Sequence, residues 1–146
     1  MNAPNCTKRA FTISLFTAAI LLAACAGMTS KTRSVNVALS GSEQVPAVTT
    51  AARGSGTVTV GEDMSVSGSV TVSGLSPSAA HIHLGARGTN GPVAVGLAKT
   101  ADNVWSVPAG AKFTEAQYKA FLAGETYINV HTQAYKGGEI RGQLQP

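Results

Sequence analysis

The chain is poor in cysteine, in charge and in aromatic residues. Its two cysteines are Cys6 and Cys25. Cys6 lies in a basic and apolar leader and Cys25 at the end of it, so no thiol follows to form a disulfide or to ligate a metal. A domain made from the remainder holds itself together by packing. Charged residues make up 12% of the chain, and its Lys and Arg are scattered, with no basic run and no aromatic interleaving. Nucleic-acid binding has nothing to rest on. No stretch reaches the about 20 consecutive apolar residues of a membrane-spanning helix. No Ser sits in a nucleophile elbow. The Gly-rich stretch 85–92 lacks the Lys-Ser/Thr of a phosphate loop, and the seven acids, mostly in turns, form no obvious catalytic pair.

What is present begins with a targeting signal. Lys8 and Arg9 form a charged start, and Phe11 to Leu22 is an apolar run of signal-peptide length. Leu22-Ala23-Ala24-Cys25 resembles the lipobox of bacterial lipoproteins, where the Cys becomes the acylated first residue of the mature chain. That resemblance implies a membrane anchor on Cys25. Because Ala26 and not Asp follows the Cys, it also implies sorting to the outer membrane in the Gram-negative pathway, facing the periplasm or the surface. An ordinary secretory signal with an incidental Cys is the alternative. Residues 1–24 then form the signal, 25–33 a short lipidated tether, and 34–146 one β domain of a size that supports a single core. Losing Lys8 and Arg9 lowers the formal charge from +4 to about +2.

The domain reads as strands. Val35, Val37 and Leu39 share one face by period two. The stretches 56–60 and 65–72 alternate apolar and small polar residues around a turn at 61–64, which predicts a hairpin with one face in water. Further strands are expected at 80–84, 93–97, 103–107, 126–133 and 139–143, the last two joined through Tyr135-Lys136-Gly137-Gly138. One helix, about 114–123, is marked by a Thr114/Gln117 capping box and by Gly124 past its end, with Tyr118, Phe121 and Leu122 as its inward stripe. Many short strands and one helix predict an all-β sandwich or barrel.

All three histidines fall in two of these strands. His81 and His83 are two apart and share a face; Ile82 and Leu84 take the other. On the second strand Tyr127, Asn129 and His131 share a face opposite Ile128 and Val130. The aliphatic faces are expected in the core, so the imidazoles stand on the outer wall, where solvent or a covering loop can reach them. Alternate residues lie about 7 Å apart along a strand and neighbouring strands about 4.8 Å apart. Three imidazoles in that frame can converge on one ion at about 2 Å. Imidazole suits zinc and copper, and copper binds tightest among divalent ions. Equally, each ring could hydrogen-bond a loop carbonyl. A separation of about fifty residues does not say whether the two strands are neighbours.

Ala80-His81-Ile82-His83, Gly91-Pro92-Val93, Tyr127-Ile128-Asn129-Val130-His131-Thr132 and Gly137-Gly138-Glu139-Ile140-Arg141-Gly142-Gln143-Leu144 together resemble the CHRD domain, a family named for chordin and widespread in bacterial envelope proteins. Glu43-Gln44-Val45-Pro46 fits its opening loop. The resemblance runs from about Ser34 to Leu144. It implies an immunoglobulin-like Greek-key β fold with limited similarity to Cu/Zn superoxide dismutase, and no established activity. His81, His83 and His131 match the dismutase pattern of a His-x-His pair and a later His as copper ligands. Arg141 corresponds by rough position to the Arg that guides the anion. There is no fourth His, no zinc-ligand cluster and no disulfide, so a binuclear site is excluded and one copper-only site remains. Two functions follow: a non-enzymatic, lipid-anchored envelope module that binds a partner, surface or metal ion, or a dismutase-like enzyme using Arg141.

Overall fold

A computed structural model describes residues 31–146. The expected signal and Cys25 lie outside the described residues. The chain forms nine strands: β1 Thr32–Ser40, β2 Arg53–Gly61, β3 Val66–Ser73, β4 Pro77–Leu84, β5 Val93–Gly96, β6 Ala98–Ala101, β7 Val104–Ser106, β8 Thr126–Thr132 and β9 Ile140–Leu144. A 3-10 turn spans Gly41–Glu43, and α1 runs Glu115–Leu122. β1 takes in Thr32 and Arg33, which composition had assigned to the tether.

All nine strands belong to one antiparallel sheet in the order β5-β4-β8-β9-β1-β2-β3-β7-β6. The two edge strands, β5 and β6, are consecutive in the chain and separated only by Leu97. The sheet therefore curls into a nearly closed barrel. Residues 74–76 connect β3 to β4. That link spans at most about 14 Å, near the about 10 Å between packed sheet faces. Strands far apart in the sheet order thus face each other across the core.

The core follows from strand parity. Val35, Val37 and Leu39 of β1, Val58 and Val60 of β2, and Val66, Val70 and Val72 of β3 are buried. They meet Ile82, Ile128, Val130, Ile140 and Leu144 from the other half. Each such aliphatic contributes about 1.5–3 kcal/mol on leaving water. Leu84 does not join them: it is only partly buried, because β4 ends there as the chain turns into the glycine loop.

The helix starts where its cap predicts. Thr114 Oγ1 accepts from the Gln117 amide, and Gln117 Oε1 accepts from the Thr114 amide. Gly124 leaves the helix with φ +72°, which glycine adopts at little steric cost. Phe121 is fully buried against Phe113. Leu122, expected inward, is 42% exposed. A helix of two turns covers the barrel with a narrow stripe, and Phe121 and Tyr118 fill it. β6 was not foreseen as a strand. Ala-Lys-Thr-Ala has no apolar alternation and every residue is exposed; it pairs with β7 as one arm of a tight hairpin turned at Asp102-Asn103, where Asn103 takes φ +62°.

Candidate metal centre

β4, β8 and β9 are adjacent, and the faces they turn away from the core form one polar surface. His81 and His83 come from β4, Tyr127, Asn129 and His131 from β8, and Arg141 and Gln143 from β9. The register sets His81 opposite Asn129, His83 opposite Tyr127, and Ala79 opposite His131. In β9, Ile140, Gly142 and Leu144 take the inward positions, so Arg141 and Gln143 point outward with the histidines. Glycine is required at 142, where a Cβ would strike the Ala38 carbonyl oxygen.

The outer surface is expected to be wet or covered, and it is covered. Tyr127 is 1%, Asn129 3%, Arg141 1% and His83 8% exposed. The loop 85–92 closes over His83 and Tyr127. Arg141 Nη1 donates to Thr89 O (2.8 Å), and Nη2 donates to Ala86 O (3.1 Å) and Gln143 Oε1 (3.0 Å). Gln143 Nε2 donates to Gly85 O at 2.8 Å and Gly124 O at 2.9 Å. At the other end, Asn129 Nδ2 donates to Gly137 O and Asn129 Oδ1 accepts from Gln44. Gly138 lies against that Asn129 side chain with φ +113°.

These contacts place the three imidazoles together. One ligand nitrogen from each of His81, His83 and His131 lies within 4.8 Å of the others. His81 Nδ1 and His131 Nε2 are 3.1 Å apart, close to the about 3.3 Å between donors on a tetrahedral ion with bonds of about 2.0–2.1 Å. Two backbone carbonyls decide the tautomers. His83 Nδ1 is 2.9 Å from Gly91 O and His131 Nδ1 is 2.8 Å from Lys136 O. A carbonyl only accepts, so both Nδ1 atoms carry the proton and both neutral rings present an unprotonated Nε2. His131 Nε2 then accepts from His81 Nδ1–H, so a proton occupies the space between two rings where an ion would sit. His83 Nε2 is buried with no hydrogen-bond partner at all. An unpartnered buried acceptor costs about 1–3 kcal/mol, and an ion would satisfy it. The donor set therefore fits a metal ion.

Burial also keeps the rings in the form that ligates. Desolvation lowers the pKa of His81, and the nearby His131 and His83 lower it further. Desolvation likewise lowers that of His83; the Gly91 hydrogen bond opposes this, and His131 and Arg141 reinforce it. Both imidazoles stay neutral at pH values where a free one begins to protonate.

Arg141 lies on the same outward surface as the histidines, one aromatic ring from His83. It is buried, its guanidinium sits 3.5 Å over the Tyr127 ring, and its hydrogen bonds hold loop carbonyls. Desolvation lowers its pKa, although a guanidinium remains charged. Tyr127, Gly91, Gln143 and the Lys136 carbonyl were given no role from sequence, although Gly91 and Gln143 lie within the motifs that carry the family resemblance. Parity puts Tyr127 on the histidine face, and that was the available signal for it. The two carbonyls have no sequence signal.

The CHRD domain family model matches residues 35–144. The chain belongs to the CHRD domain family, and the match spans the barrel from β1 to the end of β9. No curated protein and no solved structure matches the chain.

Proposed function

We propose that this protein is a non-enzymatic, lipid-anchored module of the bacterial cell envelope that binds one metal ion, copper in the first instance, through His81, His83 and His131. The observation that carries this reading is the buried, unpartnered Nε2 of His83, aimed into a cluster whose tautomers two carbonyls fix in advance. Orienting carbonyls of this kind are the usual companions of metal-bound imidazole. Copper is chosen over zinc because imidazole donors bind it more tightly. A binding module fits better than a dismutase-like enzyme because Arg141 has no exposed surface with which to draw an anion. The anchor on Cys25 rests on the lipobox resemblance; Cys25→Ala should move the protein out of the membrane fraction.

The deciding experiment titrates Cu(II) into purified, tag-free protein and into His83→Ala. The expected result is a one-to-one complex that His83→Ala weakens by at least about tenfold. Equal, weak binding by both proteins, with Cu(II) and with ascorbate-reduced Cu(I) alike, would sink the site. If the complex forms, superoxide decay no faster than with the metal-free protein leaves a carrier or sensor, whereas acceleration would restore the enzyme.

A further inference from the structure

We infer that the three-histidine centre selects copper in its univalent state, and that Arg141 contributes to this preference. The inference rests on the metal-binding reading above and adds the charge of the ion. The ligands themselves are the first argument. All three are imidazoles, which ligate without adding negative charge, and among the described residues no carboxylate joins the cluster. Glu139, on the same β8–β9 connection, accepts from the Thr50 and Thr132 hydroxyls with its two oxygens, at 2.8 Å each. The ion's charge is therefore not offset by its ligands. The cost of desolvating an ion rises with the square of its charge, so a divalent ion costs about four times as much as a univalent one of equal size.

A fixed cation supplies the second argument. His83, Tyr127 and Arg141 stand on three adjacent strands, β4, β8 and β9. The Tyr127 ring stacks on His83 with centroids 5.0 Å apart and planes 8° apart, and Arg141 sits on the same ring. The guanidinium thus lies one aromatic ring beyond a ligand, buried and without a carboxylate among its hydrogen-bond acceptors. It repels a divalent ion twice as strongly as a univalent one. At about 10 Å and an effective dielectric constant of about 20, this difference alone is worth roughly tenfold in the ratio of affinities. Coordination number is the third argument. Divalent copper favours a tetragonal set of N and O donors, whereas univalent copper accepts three.

The test measures both affinities on the purified protein, by competition with a chelator specific for each oxidation state, univalent copper being kept reduced by ascorbate without oxygen. Wild type should bind Cu(I) at least about a hundredfold more tightly than Cu(II), and Arg141→Gln should narrow the gap by about tenfold. Arg141 is built into the fold, so a second variant is needed. Val93 is the register partner of His83 and is 52% exposed. Val93→Glu sets a negative charge beside the ligand without entering the core and should narrow the gap by a similar factor. Cu(II) binding as tightly as Cu(I) in wild type would overturn the inference, as would a gap that neither variant moves. Failure of wild type to bind either ion would overturn the metal-binding reading itself, a result distinct from both.

Discussion

The outer face of β1–β2–β3 and the outer face of β4–β8–β9 are made by the same alternation of residues, yet one is open and the other roofed. On the open side Ser34, Asn36, Ser55, Thr57, Ser67, Thr71 and Ser73 face water. Their side chains bond across strands, Ser34 with Thr59 and Thr57 with Asn36, both at 2.8 Å. Water can replace any of these contacts. On the roofed side the residues are large, and almost every polar atom has a partner: Arg141 and Gln143 grip the loop 85–92, and Asn129 ties the turn at 137 to Gln44. Small hydroxyls make a surface that needs nothing over it. Large buried polar groups make one that must be matched atom by atom, and the single mismatch there, His83 Nε2, is the clue to function.

The largest expected break in this contrast is Arg141→Ala. It removes three hydrogen bonds and the cation over Tyr127, leaving loop carbonyls unpaired, and should cost about 3–5 kcal/mol by urea denaturation. A loss below about 1 kcal/mol would mean that the loop stays shut without Arg141.

Acidification comes next. His81 and His83 have folded-state pKa values below the usual 6.5. The unfolded chain therefore binds more protons than the folded one once the pH drops below 6.5, and stability is lost from there down to the folded pKa values. Above pH 6.5 the pair should contribute no slope. Replacing both histidines with Gln should flatten the low-pH limb in a denaturation series; an unchanged limb would assign it to other groups.

Tyr127→Phe removes only the hydroxyl that accepts from the Gly91 amide at 3.2 Å. It keeps the stack on His83 and should cost about 1 kcal/mol. Thr71→Ala, on the open face, should change stability by no more than about 0.5 kcal/mol. If Thr71→Ala costs as much as Tyr127→Phe, the two faces do not differ as their exposure indicates.

Much of this architecture was legible in the residues because its rules are local. Period two alone assigned Val35, Val37 and Leu39 inward and the histidines outward, and a capping box located α1. Where local rules ran out, so did the reading. Leu122 looked apolar enough for the helix stripe, but how wide that stripe is depends on what the helix packs against. Ala98–Ala101 carries no strand pattern of its own and pairs with β7 across the tight turn at Asp102-Asn103. The approach of His131 to His81 depends on β8 lying beside β4, a long-range pairing that no nearby residue specifies. Arg141 was noticed through its motif and given a role by position. Its actual partners are carbonyls about fifty residues away, and backbone groups look the same in every sequence.

The single residue between β5 and β6 carries a further consequence. An exposed sheet edge is a template on which any extended chain can add itself. Here both edges belong to one continuous stretch, pinned where the Leu97 amide donates to Ala80 O at 2.9 Å. Each edge strand is only four residues long, so it offers a foreign strand few backbone groups to pair with. The sheet blunts its two edges by keeping them short, a defence against polymerising that composition alone would not reveal.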